Sequence, residues 1–484
     1  MFLGIDLGTS SIKLVIMNTA GEIVDSASSE FSVSRPKPLW SEQAPSDWWT
    51  GLEHCFDQLS AKQSLSNILS IGLSGQMHGA TLLDKNNDII RPAILWNDGR
   101  CEQECLDIEA TVPNAREITG NIVMPGFTAP KLLWVKNHEP ENFAKVEKVL
   151  LPKDYLRFLL TGVFASDMSD SAGTCWLDVG KRCWDDAMLA ACGLTQTQMP
   201  ELFEGSEITG HLNPELAKRW GLNSVPVVAG AGDNAAGAIG LGIVNPGQAM
   251  ISLGTSGVYF AAADGFHMNA DSAVHSFCHA LPNSWHLMSV TLSAASCLQW
   301  FADNIARKSV VELLDNMQKT EFDKTTSCVF LPYLAGERTP HNNPHAQGSF
   351  FGITGETSQE EMTYAVLEGV ALAIADGADA LHSTGLIPDD ITLIGGGAKS
   401  PYWRQMVADV LGRPVSFRTG GEVGPALGAA RLAQLGVETD KALSDICPVP
   451  PMVELHKPNL AQHEHFKQRQ VKFRKLYNAL VPLF

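Results

Sequence analysis

Positive charge is scarce in this chain. Its 484 residues hold 35 Lys and Arg against 53 Asp and Glu, a formal net charge of −18 at pH 7 with His neutral. A field of that sign repels nucleic acid and anionic membrane, so neither is an expected partner. A polyanionic substrate must then be held locally, by backbone N–H groups, a few cations or a metal. An uninterrupted apolar span is also missing. Val225 to Val244 comes nearest, with Asp233 its single formally charged residue. Its glycines and the central Asp233-Asn234 pair read instead as two buried elements meeting at a polar joint. The ten cysteines include no CxxC pair, and nothing near Cys101 and Cys105 completes a zinc set. Pro344 interrupts the helical spacing of His341 and His345, which removes that ligand pair too. Free thiols in a reducing cytoplasm are expected, with no structural metal. The chain opens on a strand, without the charged n-region and apolar h-region of a signal peptide, so a cytoplasmic location is expected.

What is present is an ordinary globular composition, 45% apolar and 18% charged, long enough for two or three domains. The organising stretch lies at the start: two apolar runs, Phe2 to Leu7 and Ile12 to Ile16, flank Gly8, Thr9, Ser10 and Ser11. This pattern predicts a tight hairpin, with glycine free to take positive φ and with N–H groups and hydroxyls turned toward phosphate oxygens. Asp6 ends the first strand and Lys13 follows the turn. A carboxylate beside a phosphate loop is repulsive unless a hard cation lies between, and Mg²⁺ with retained waters fits that place. Leu253-Gly254-Thr255-Ser256 repeats Leu7-Gly8-Thr9-Ser10 between apolar runs, with Ser252 where the first copy has Asp6. Two hydroxyl-rich hairpins and one acid suggest a duplicated scaffold gripping one polyphosphate from two sides.

Between the copies, Leu69 to Ser74 reads as a buried strand that runs into Gly75-Gln76-Met77-His78-Gly79. The bracketing glycines bring backbone and three distinctive side chains close to whatever docks there. His78 reads equally as a ligand or as a satisfied core histidine. A helix is expected over Leu150 to Thr161, carrying Lys153, Asp154 and Arg157, and Arg157 reads as part of a solvated face. Ser166 to Asp170 is polar, and it can be expected to reach the same cleft. Val225 to Gly230 predicts a buried strand, followed by Asp233 and Asn234 at the start of a small-residue helix. Asp233 is open to two readings, an N-cap or a carboxylate presented to a ligand at a strand mouth. In the second half, Gln359 to His382 predicts a helix, and Ile391 to Ile394 a strand ending in Gly395-Gly396-Gly397. Those glycines leave room for adenine or ribose against the backbone. A last helix, with Phe466, Phe473, Leu476, Tyr477 and Leu480 on one face, docks on the body.

Together these segments resemble the carbohydrate kinases of the FGGY family. Gly4 to Ser10 is similar to the family's first phosphate loop and Gly230 to Gly240 to its second nucleotide-fold motif. The run from Gly395 to Asp409 is close to its C-terminal signature. The N-terminal signature, Phe127 to His138, keeps Lys131 and Trp134 but has Ala129 where Pro, Ser or Thr is usual. The resemblance implies an α/β architecture of two duplicated actin-like (ribonuclease H-like) ATPase domains with a cleft between them. The expected division is residues 1–245 on the sugar side, 246–440 on the nucleotide side, and 441–484 as a helical tail. Trp40-Ser41-Glu42-Gln43 and Ser74 to Gly79 look like the xylulokinase branch, whereas glycerol kinases carry an Arg-Glu pair where this chain has Met77-His78. That implies D-xylulose and ATP as substrates, Mg²⁺ as cofactor and D-xylulose 5-phosphate as product. By position, Asp233 corresponds to the general base, Asp6 to the metal-organising acid, and Gln76, Met77, His78 and Asn234 to the sugar side. Gly8, Thr9, Ser10, Lys13, Gly254, Thr255, Ser256, Gln299, Gly396 and Gly397 fall on the nucleotide side. The resemblance leaves room for a homodimer. A kinase for another ketose or polyol stays open beside this reading, as does an actin-like ATPase switch; the latter would have no need of Gln76-Met77-His78.

Overall fold

The computed structural model describes residues 1–325, 328–420 and 424–484. In the first half, β1 (Phe2–Leu7), β2 (Ser11–Met17) and β3 (Ile23–Glu30) form an antiparallel meander. After helix α1 (Pro45–Lys62), β4 (Ser70–Gly75) lies parallel to β1 on its other side. β1 and β4 sit at the sheet centre and are buried along nearly their whole length, as apolar runs without polar alternation require. Edge strand β3 is mostly exposed, carries Asp25, three serines and Glu30, and buries only Ala27.

Helices α2 (Thr128–His138), α3 (Pro152–Thr161) and the short α4 (Met168–Ser171) follow. α3 begins at Pro152; Leu150 ends a short strand, Lys148–Leu150, before it. Strands β5 (Ile208–His211) and β6 (Pro226–Val228) complete the sheet order β5-β6-β4-β1-β2-β3, with β7 (Ala231–Gly232) pairing the end of β4. Helix α5 (Asp233–Gly240) starts directly from β7. The apolar stretch from Val225 is thus divided among β6, β7 and α5. Among the described residues, no helix is long and apolar enough to cross a membrane.

The second half repeats the plan. β8 (Gln248–Leu253) and β9 (Gly257–Ala263) form the central hairpin; β10 (His275–Cys278) and β11 (Trp285–Thr291) extend it. Helices α6 (Ala295–Trp300) and α7 (Gln359–His382) lead to β12 (Asp390–Ile394), parallel to β8. Then come α8 (Pro401–Leu411), β13 (Val415–Arg418) and α9 (Gly424–Val437). The segment after residue 440 supplies more than the expected helix: β14 (Met452–His456) pairs antiparallel with β13 before α10 (Leu460–Leu480) begins. In each sheet three antiparallel strands, two parallel strands and an antiparallel edge follow one another in space, and the second sheet adds β10 outside β11. That common order is the physical content of the repeated turn motif.

α9 belongs to the second half by sequence, yet it lies against the first sheet. A Cβ added at Gly4 would stand 1.9 Å from Ala426 O, and one at Gly72 2.0 Å from Ala429 O. Glycine at both places lets the helix backbone rest on the strands. α9 also crosses α5 closely, where Gly428 abuts Ala236 O.

Candidate active site

Each hairpin turn is held from behind, which leaves its outer side bare. In the first, Leu7 pairs with Ile12 and Asp6 with Lys13. The Gly8 N–H donates to Ser11 O at 2.9 Å, and Gln43 Nε2 donates to Thr9 O at 2.6 Å. Trp96 Nε1 donates to Thr9 Oγ1 at 2.9 Å, so that hydroxyl keeps its own proton for an outside acceptor. In the second turn, Leu253 pairs with Gly257, one residue sooner. Its carbonyls are taken by the start of α6: Ala295 N donates to Gly254 O, while Ala294 N and Ser296 Oγ donate to Thr255 O. Neither Gly8 nor Gly254 has positive φ, contrary to the conformational reason expected for them. An added Cβ would meet Ser11 O tightly at 3.2 Å at Gly8, whereas at Gly254 it would make only ordinary contact, with Ser256 O at 3.5 Å.

Asp6 and Ser74 face each other across β1 and β4, and Asp6 Oδ1 is buried without a hydrogen-bond partner. Burial first, then repulsion from Asp233, lifts the Asp6 carboxyl to about 7. Asp233 is the first residue of α5; Gly232 holds the N-cap position, so the capping alternative fails by one residue. The Asp233 Oδ1 atom accepts from Asn234 N at 2.7 Å and Asn234 Nδ2 at 2.9 Å. Its Oδ2 takes no hydrogen bond from the described residues. Burial raises Asp233 to about 6, and the two Asn234 donors restrain the rise.

The segment expected on the sugar side is anchored by its own backbone. His78 has a left-handed φ of 71°, a conformation that non-glycine residues rarely keep without support from their surroundings. Lys131 Nζ and Thr128 Oγ1 donate to the His78 carbonyl at 2.9 and 3.2 Å. His78 Nδ1 stands 2.6 Å from Gly173 O. A carbonyl only accepts, so Nδ1 carries the proton and Nε2 keeps a lone pair with no partner among the described residues. Burial holds His78 down to about 3, and it is neutral. The core-histidine reading accounts for Nδ1, and Nε2 is left for the ligand reading. Met77 packs on Gly232, where an added Cβ would meet its Cγ and Sδ at 3.0 Å, which ties it to the Asp233 loop.

Several expected residues stand elsewhere than sequence reasoning placed them. Gln76 is buried and bonded inward, donating to Gln43 Oε1 at 3.0 Å and Gly8 O at 3.4 Å. Gln299 is exposed and donates to both carboxylate oxygens of Asp303 at 2.9 Å. Gly396 faces open space, whereas an added Cβ on Gly397 would meet Leu253 and Trp403 at 2.9 and 3.0 Å, so Gly397 serves packing. Lys13 is exposed beside the first turn. Gly75 and Gly79 make room for helix α3 rather than for a ligand: added Cβ atoms there would meet Lys153 Cβ at 3.0 Å and Pro152 Cγ at 2.5 Å. Arg157 is wholly buried, not solvated. In the sequence Trp96 lies in a strand end carrying polar groups, Leu95 to Arg100, and is not assigned to the site; its place against Thr9 comes from the fold.

A duplicated actin-like α/β fold, with two bare hydroxyl turns and an acid pair at the strand ends, defines a phosphotransferase of the two-domain kinase class. The comparisons narrow the class. The N-terminal domain of the FGGY family of carbohydrate kinases matches residues 1–240 and its C-terminal domain residues 249–436. The chain belongs to that family, whose sugar kinases use ATP. It is 57% identical to the xylulose kinase of Escherichia coli strain K12 and 53% identical to that of Klebsiella pneumoniae, each over 100% of both chains. The crystal structure of a xyloylose kinase from Brucella ovis superposes with a TM-score of 0.95 at 48% identity, covering 100% of both chains.

Proposed function

We propose that this kinase transfers the γ-phosphoryl group of ATP to D-xylulose, giving D-xylulose 5-phosphate and ADP. Full-length likeness to xylulose kinases carries the choice of sugar. The free Oδ2 of Asp233 carries the chemistry: it accepts the proton of the attacking hydroxyl while Oδ1 stays fixed by Asn234. The neutral His78 accepts a sugar hydroxyl at Nε2, and Met77 and Asn234 border the same loop. Thr9, Ser10, Thr255 and Ser256 offer hydroxyls and N–H groups to the phosphates, with Lys13 and Gly396 at the rim. Gln76 acts one step back, by holding Gln43 and the first turn. Phosphoryl transfer passes through a loose transition state, so positioning and charge neutralisation supply most of the rate.

The residues fit a divalent cation. Asp6 Oδ1 is a buried, unpartnered carboxylate oxygen, and burial with the nearby Asp233 raises the group to about 7, a cost that a cation held beside it would offset. Asp6 would hold Mg²⁺, directly or through retained waters. Bound there, the metal would neutralise phosphate charge. The reading keeps residues 1–245 as the sugar side and 246–440 as the nucleotide side; the segment after 440 completes the second sheet. Its test is ADP release measured over ketoses, aldoses, polyols and no sugar. D-xylulose should give the highest kcat/KM, whereas preference for another ketose or polyol would move the substrate within the same family.

A further inference from the structure

Behind the Asp233 loop lies a charged cluster that the mechanism above does not use. Lys153, Asp154, Arg157, Asp167 and Asp170 have fully buried side chains. Lys153 Nζ stands 2.6 Å from Asp154 Oδ1, 2.6 Å from Asp167 Oδ1 and 3.1 Å from Asp170 Oδ2. Arg157 Nη1 stands 3.0 Å from Asp154 Oδ1. Three carboxylates thus meet two cations without solvent. Burial pushes Asp170 well above the usual carboxylate range, and the nearby Lys153 opposes the rise.

The cluster grips the loop at two points. Arg157 Nη2 donates to Ala229 O, and Ser169 Oγ accepts from Gly232 N at 3.1 Å. Ser169 is itself oriented by Asp167 Oδ2, which accepts from its N–H at 2.8 Å and from its hydroxyl. The same platform touches the His78 segment, through Pro152 and Lys153 beneath Gly79 and Gly75 and through the Gly173 carbonyl on His78 Nδ1. Buried ion pairs are poor stabilisers, because desolvation offsets their attraction and an apolar core of equal volume often does as well. An apolar core could not receive Gly232 N–H and Ala229 O at defined places.

We propose that this cluster is a positioning base for the sugar site, in which Ser169, oriented by Asp167 and through it by Lys153, fixes Gly232 and so the reach of Asp233. The inference rests on reading Asp233 as the base. Its test is a double-mutant cycle of Ser169→Ala and Asp233→Asn, with kcat and both KM values measured well below the melting temperature. Ser169→Ala should lower kcat about 10–100-fold, the scale of a small misplacement. Its ATP KM should stay within about twofold, and the double variant should be no slower than Asp233→Asn alone. A purely structural role would lower the melting temperature and leave the kcat of folded enzyme intact. Equal slowing by Ser169→Ala in both backgrounds overturns the inference. So does normal kcat in Ser169→Ala beside a slow Asp233→Asn, which leaves the base assignment standing. Near-normal kcat in Asp233→Asn overturns the base assignment itself, and the inference with it. Should Ser169→Ala fail to fold, Ser169→Cys, of similar volume and with a weaker acceptor, carries the same comparison.

Discussion

On the proposed reading the two carboxylate oxygens of Asp233 have separate tasks, and an amide can perform only one of them. In Asp233→Asn the amide oxygen can still accept from Asn234, so the helix start should persist and the melting temperature should change little. The lost base should lower kcat by about 10²–10⁴. The raised carboxyl also has a pH consequence. Asp233 must be ionised to accept a proton and Asp6 to hold the metal, so kcat/KM should be level above about 7 and fall as pH drops through about 7 to 6. A wild-type profile flat down to pH 4.5 would remove the assignment. His78 is neutral, so His78→Ala forfeits an ordinary hydrogen bond, about 0.5–1.5 kcal/mol. The sugar KM should rise about two- to twelvefold with the ATP KM unmoved. Unchanged ketose kinetics would leave His78 with its Gly173 bond alone.

Among the elements, the second hairpin turn separates ligand effects from folding most cleanly. Gly254 has no positive φ, and a Cβ there would meet nothing nearer than 3.5 Å. Gly254→Val should therefore fold and crowd the nucleotide. ATP KM should rise at least about tenfold, with sugar binding in the absence of nucleotide nearly intact. Equal loss of both affinities would place the turn outside the nucleotide site. The elements themselves were largely legible in the chain, since the two hairpins, the helix over Gln359–His382 and the strand before Gly395 follow directly from apolar period and punctuation. The Lys153 cluster was not. A helix bearing Lys, Asp and Arg reads as solvated unless one knows that Asp167 and Asp170, more than ten residues on, fold back over it. Nor could spacing locate the helix start to one residue, and that single step moved the N-cap from Asp233 to Gly232. Gly75 and Gly79 marked a close approach correctly, but sequence cannot say whether a ligand or Pro152 makes it.

As a whole molecule, the chain sets a global charge of −18 against a polyphosphate substrate, so binding has to be local. The two matching sheets supply that locality, each offering one bare turn. Helix α9, sequentially part of the second half but resting on Gly4 and Gly72 of the first, ties the halves together. An enzyme so arranged should couple nucleotide cleavage to the sugar rather than to water. The most direct measurement is phosphorus NMR of wild-type protein incubated with ATP, Mg²⁺ and D-xylulose. One sugar phosphomonoester should appear mole for mole with ADP, with inorganic phosphate at background and no turnover when the sugar is omitted. ADP accumulating with inorganic phosphate at the same rate, sugar or no sugar, would contradict the account and identify an ATPase instead.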